Sequence, residues 1–192
     1  MAKIKIIIIP GSSRAASHNA RLGKSVEAAL RTLGAEPTLI SLADYPMPIL
    51  NQDDEAEHGV PENAKVLASL IAEHQGVVLI NPEYNGSFSG LMKNTLDWLS
   101  RDVGLKVFKN RVFALAACSP GALGGIRVLA HARDNLVSVG ADMITPQLAV
   151  GGANNAFADD HSLTNERAAG LLQSLCETLI HRAKDYSRQE PA

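Results

Sequence analysis

The chain has 192 residues, of which 46% are hydrophobic and 20% charged, and its formal net charge is −2. That length fits one domain, residues 1–192, with a core large enough to need neither disulfides nor metal. No apolar run approaches the roughly 18 residues that cross a bilayer, and there is no basic surplus for nucleic acid, so neither membrane nor nucleic acid is expected as a partner and a small molecule is favoured.

The elements alternate along the chain. Short β-branched runs at Ile4–Ile9, Thr38–Leu42, Val77–Ile80, Val112–Ala117 and Met143–Val150 predict five strands. Between them, apolar residues recur every three to four positions: Leu22, Val26, Leu30 and Leu33; Leu67, Leu70 and Ile71; Leu91, Thr95, Trp98 and Leu99; Ile126, Leu129, Ala130 and Val137. A last helix carries Leu171, Leu172, Leu175 and Leu179. The first apolar run meets Gly-Ser-Ser-Arg at once, so it reads as a strand and not as a signal peptide. Near-continuous apolar strands alternating with helices predict an α/β doubly wound, five-stranded parallel sheet with helices on both faces. Such sheets bind ligands beyond the carboxyl ends of their strands. The segment Ala43–Glu62, with three prolines and no periodicity, reads as a long excursion: a lid, a subunit contact or a solvated loop.

After the first strand comes Pro10-Gly11-Ser12-Ser13-Arg14, followed by Ser17 and Asn19 at the start of a helix. Hydroxyls, an amide, a guanidinium and the positive end of a helix dipole suit a terminal phosphate. Each residue alone also serves as a cap or turn former; their grouping after the first strand favours the phosphate. The triplet Gly23-Lys24-Ser25 is no Walker A loop, because its first glycine would fall on His18, and no Gly-x-Gly-x-x-Gly follows Gly11.

After the third strand, "NPEYNGSFSGLMKNTLDWLS" (Asn81–Ser100) bends the chain at Pro82, Asn85 and Gly86 before a helix whose Trp98 is expected in the core. Asn85-Gly86 would suit a hairpin, but no alternating strand follows. After the fourth strand, Cys118–Gly125 is small and glycine-rich, open to close approach by a flat ring. Cys118 reads as an inert core residue; with Cys176 it forms no CxxC, and two such cysteines suit a reducing cytoplasm.

"GSSRAASHN" and "PEYNGSFSGLMKNTLDW" together resemble the phosphate loop and the Pro-Glu-Tyr-Asn block of the NADPH-dependent FMN reductase family, which includes quinone, azo-dye and chromate reductases. The resemblance covers about the first 150 residues and implies the flavodoxin-like fold. It implies FMN as cofactor, NADPH or NADH as co-substrate, and a homodimer or homotetramer. It places the FMN phosphate at Gly11, Ser12, Ser13, Arg14, Ser17 and Asn19. The ring falls against Pro82, Glu83, Tyr84, Asn85, Gly86 and Ser87, flanked by Ser119, Gly121 and Gly124. No catalytic side chain and no metal are expected, since hydride chemistry belongs to the flavin. Ser89 stands where the family usually has proline, which is expected to loosen the turn into the helix, and Met92 stands where leucine is usual. A flavodoxin-type electron carrier and a flavin-free phospholigand-binding module are the competing readings.

Overall fold

Ile6, Ile7, Ile8 and Ile9 are all at most 1% exposed, as a strand covered on both faces requires. They belong to β1 (Lys5–Pro10), and the computed structural model, which describes residues 3–14, 16–101 and 104–187, continues with α1 (His18–Thr32) and β2 (Glu36–Leu39). Then come α2 (Gln52–His58), α3 (Glu62–Ala72), β3 (Gly76–Asn81), α4 (Gly90–Leu99), β4 (Val112–Cys118), α5 (Ile126–Ser138), β5 (Asp142–Val150) and α6 (Glu166–Tyr186). The strands form one parallel sheet in the order β2-β1-β3-β4-β5. The chain runs outward to β2 and returns past β1 to β3, so strand order reverses between β1 and β3. This is the flavodoxin-like, doubly wound arrangement the periodicity and the resemblance implied.

Alternate side chains of each strand feed two cores. Ile6, Ile8, Val78, Ile80, Ala114 and Ala116 meet Leu22, Val26 and Leu30 of α1 and Leu175 and Leu179 of α6. Ile7, Ile9, Val77, Leu79, Phe113 and Leu115 meet α3, α4 and α5 through Leu67, Ile71, Leu96, Leu129 and Leu136. Both faces of the sheet are thereby dry, and the ligand-binding edge is left to the loops.

Two sequence expectations shift. The second strand starts and ends earlier than Thr38–Leu42: the Glu36 amide donates to Ile4 O (2.8 Å), and after Leu39 the chain turns into a 3-10 helix at Leu42–Asp44 capped by Ser41. Pro37 masked the strand, yet proline is tolerated there because β2 is an edge. Within Ala43–Glu62 lies α2, begun by Asn51, whose side chain accepts from the Asp53 amide (3.0 Å). It buries no residue, so no apolar period could reveal it. The excursion is pinned: Trp98 Nε1 and Asn94 Nδ2 both donate to Pro48 O (2.8 Å each), and Arg101 forms a two-pronged pair with Glu55. Trp98 is 1% exposed and lies in the core, as expected.

Candidate functional site

The loop after β1 is built on Gly11. Its amide donates to Ile80 O (2.8 Å), holding the end of β1 against the end of β3. A Cβ at Gly11 would lie 3.1 Å from Met92 Cβ and 3.2 Å from Pro82 Cδ, so glycine suits a position pressed by helix α4 and by the loop after β3. The Arg14 amide donates to Ser12 Oγ (3.3 Å) and the Ser17 amide to Arg14 O (3.1 Å), which winds the loop into α1. Ser17 Oγ accepts from the Asn19 and Ala20 amides (3.2 and 3.4 Å) as the cap of α1. Ser13 and Arg14 are exposed and Ser12 is half-buried, at the positive end of a 15-residue helix.

Asn19 does something the sequence did not announce. Its Nδ2 donates to Cys118 O (3.2 Å) while its Oδ1 accepts from the Cys118 amide (3.1 Å). The side chain thus joins the start of α1 to the end of β4, with one amide hydrogen left over. Both the cap and the bridge are roles inside the chain, and Ser17 and Asn19 are buried, 3% and 4% exposed.

The loop after β3 carries Pro82–Ser87. Tyr84 N donates to Ser87 O and Ser87 N to Tyr84 O, both 3.0 Å, around Asn85 (φ 52°) and Gly86 (φ 80°). This is the two-residue turn that Asn-Gly favours, and it ends in a single antiparallel bridge without hairpin strands. Tyr84 is 52% exposed. Glu83 points the other way: its carboxylate accepts from Arg127 Nε (2.6 Å) and from the Arg127 and Val128 amides (3.1 and 3.4 Å). It supplies the side-chain cap that Gly125, the cap residue of α5, lacks. Burial pushes the Glu83 carboxyl up, but the Arg127 bond and the two amides outweigh it and hold it below the usual carboxylate range. On the far side, His131 Nδ1 lies 3.1 Å from Ser87 Oγ.

The loop after β4 is held by its own backbone. Ser119 N donates to Val150 O (3.1 Å), Gly124 N to Gly121 O (3.2 Å) and Gly152 N to Gly121 O (3.3 Å). Gly124 (φ +63°) has no room for a Cβ, which would come within 2.6 Å of Gly151 N. Gly121, by contrast, is exposed and meets only Ser119 Oγ at 3.9 Å. Cys118 is inert as expected: burial pushes its thiol up to about 12.

Ser89 overturns the expectation of a loosened turn. It is 3% exposed, its Oγ accepts from the Met92 amide (3.1 Å) as the cap of α4, and its hydroxyl donates to Gly11 O (2.8 Å). The sequence held the signal, a serine just before an apolar-periodic run. Asn81, at the end of β3, is fully buried with neither amide atom bonded. Gly23-Lys24-Ser25 lies inside α1; Gly23 packs on Leu39 and Pro10, and Lys24 borders a cleft shared with Ser12, Ser13 and Arg14.

Three loops from the ends of β1, β3 and β4 are thus brought together at the sheet's switch point, with a donor-rich helix start in one and a tight turn in the next. The sequence profile described as NADPH-dependent FMN reductase matches residues 4–155, a span that contains all three. The chain belongs to the NADPH-dependent FMN reductase family. It is an oxidoreductase of the kind that uses FMN and NAD(P)H. A quinone reductase of Pseudomonas putida is 30% identical over 174 residues, 90% of each chain. An NAD(P)H-dependent FMN reductase of Pseudomonas aeruginosa is 31% identical over 181 residues, 92% of this chain and 93% of that one. Among solved structures, the flavoenzyme FerB, an NAD(P)H:(acceptor) oxidoreductase of Paracoccus denitrificans, superposes with a TM-score of 0.82 at 29% identity, covering 95% of this chain and 98% of that one. Among the described residues no helix is long and apolar enough to cross a membrane, and no group of His, Cys, Asp or Glu could hold a metal ion.

Proposed function

We propose that the family reductase, as one domain over residues 1–192, holds FMN across these three loops and passes two electrons from NADPH or NADH to a quinone or flavin in ping-pong order. The observation that carries this reading is the loop at the start of α1, where the exposed Ser13 hydroxyl and Arg14 guanidinium, beside the half-buried Ser12, suit the oxygens of a phosphate monoester. The donors fit the group: Ser12, Ser13 and Arg14 can donate outward, while Ser17 lies buried beneath them as the cap of α1.

FMN, when bound, supplies the hydride chemistry, and the protein supplies position and access. Arg14 and the hydroxyls neutralise the phosphate. The Glu83–Gly86 backbone meets the polar edge of the ring, and Ser119 and Gly121 border it on the β4 side. Glu83 keeps its carboxylate turned to α5, away from that edge. Asn19 and Ser89 keep the loops in register. Removal of any one side chain is not expected to act like loss of a general base, since the hydride chemistry belongs to the flavin. Tyr84, Leu123 and Ile126, exposed around the site, would be covered in a homodimer or homotetramer. A cytoplasmic setting accords with two buried, unpaired thiols.

An anaerobic turnover panel tests the reading, with NADPH and NADH against FMN, quinones, azo dyes and chromate. Nicotinamide oxidation by the purified protein alone, with parallel double-reciprocal lines for a quinone, is the expected result. Flavin reduction without turnover would indicate an electron carrier instead, and no reaction of any kind would contradict the oxidoreductase.

A further inference from the structure

One oxygen, Ser89 Oγ, closes the first turn of α4 and also bonds the turn glycine of the phosphate loop, 78 residues earlier in the chain. Gly11 is therefore fixed from both sides, its amide to Ile80 of β3 and its carbonyl to Ser89 at the far end of the ring loop. The contact has no slack: Met92 and Pro82 stand 3.1 and 3.2 Å from where a Gly11 Cβ would be. A proline at position 89 could begin the helix but would have no hydroxyl to donate.

A ligand with a phosphate at one end and a flat ring at the other binds as two linked groups. The second contact strengthens the first only as far as the distance between the two subsites is held. We propose that Ser89 is a positioning residue that locks the phosphate cup to the ring loop, so that FMN is gripped at both ends by one rigid unit and stays resident instead of exchanging. This inference rests on the FMN reading above.

The test compares FMN with riboflavin, which lacks the phosphate, by flavin fluorescence titration of the flavin-stripped wild type and of Ser89→Gly, Ser89→Ala and Ser89→Thr. Glycine is nearly as good a helix cap as serine, so Ser89→Gly removes the clasp while leaving α4 started. Loss of one buried hydrogen bond is expected to weaken FMN about tenfold and riboflavin less than about twofold, narrowing the preference for FMN, and Ser89→Thr restores it. FMN released by dilution should leave the Gly and Ala variants correspondingly faster. Equal weakening of both flavins, or a lower melting temperature with unchanged FMN affinity, overturns the clasp. A wild type that binds neither flavin overturns the FMN reading itself, and with it this one, so the two failures are told apart.

Discussion

Asn19 and Cys118 exchange two hydrogen bonds across 99 residues, amide to carbonyl and amide to carboxamide, and this pairing joins the helix that follows the first loop to the strand that leads into the third. Asn19→Ala removes both of these bonds from the buried Cys118 backbone, which costs about 1–3 kcal/mol. Urea unfolding should show a lower midpoint at unchanged slope, and FMN binding should weaken with it because two loops lose their common anchor.

Arg14 behaves differently, since its side chain is exposed. Removing a charge-assisted contact to a phosphate is worth about 1.5–3 kcal/mol, so Arg14→Ala should raise the FMN dissociation constant by roughly 10- to 150-fold. The melting temperature of the flavin-free protein should not move. Full flavin occupancy after dilution and gel filtration would remove Arg14 from the cup.

The two glycines of the third loop separate packing from access. At Gly124 a Cβ meets the Gly151 and Val150 backbone within 2.6–2.8 Å and φ is +63°, so Gly124→Ala should destabilise by more than about 2 kcal/mol. At Gly121 there is open space, so Gly121→Ala should be neutral to stability and report only on what approaches from outside. Thermal unfolding of the two variants side by side checks the contrast.

Burial pushes the thiols of Cys118 and Cys176 from 9.0 up to about 12. Neither should react with a disulfide reagent at pH 8 until the chain is unfolded, when both should. The folded state favours the protonated thiols. Their contribution to stability is therefore complete below pH 9 and is lost as pH rises from about 9 towards 12.

The four-isoleucine run of β1 and the three-to-four periods of α1, α3, α4, α5 and α6 made the sheet and its layers legible, because burial on two faces or on one stripe writes itself into composition. The second strand was displaced because Pro37 is acceptable only at an edge, a fact of topology that local sequence does not carry. Helix α2 was missed because nothing in it is buried. At the site, the donors of the cup and the Asn85-Gly86 turn could be read locally. What could not be read was partnership: Asn19 with Cys118, Ser89 with Gly11, and Glu83 with the start of α5 all link residues more than forty positions apart. Ser89 reads locally as a loosening change because its acceptor, Gly11 O, lies in another loop.

On the proposed reading, three loops of this chain hold one FMN in working contact with nicotinamide and acceptor. Anaerobic visible spectroscopy of the flavin-loaded protein tests it most directly. One FMN per chain, bleached by a single equivalent of NADPH or NADH and restored by one equivalent of a quinone, is the predicted result. A colourless protein that takes up no added FMN, or a bound flavin that neither nicotinamide bleaches, would contradict it.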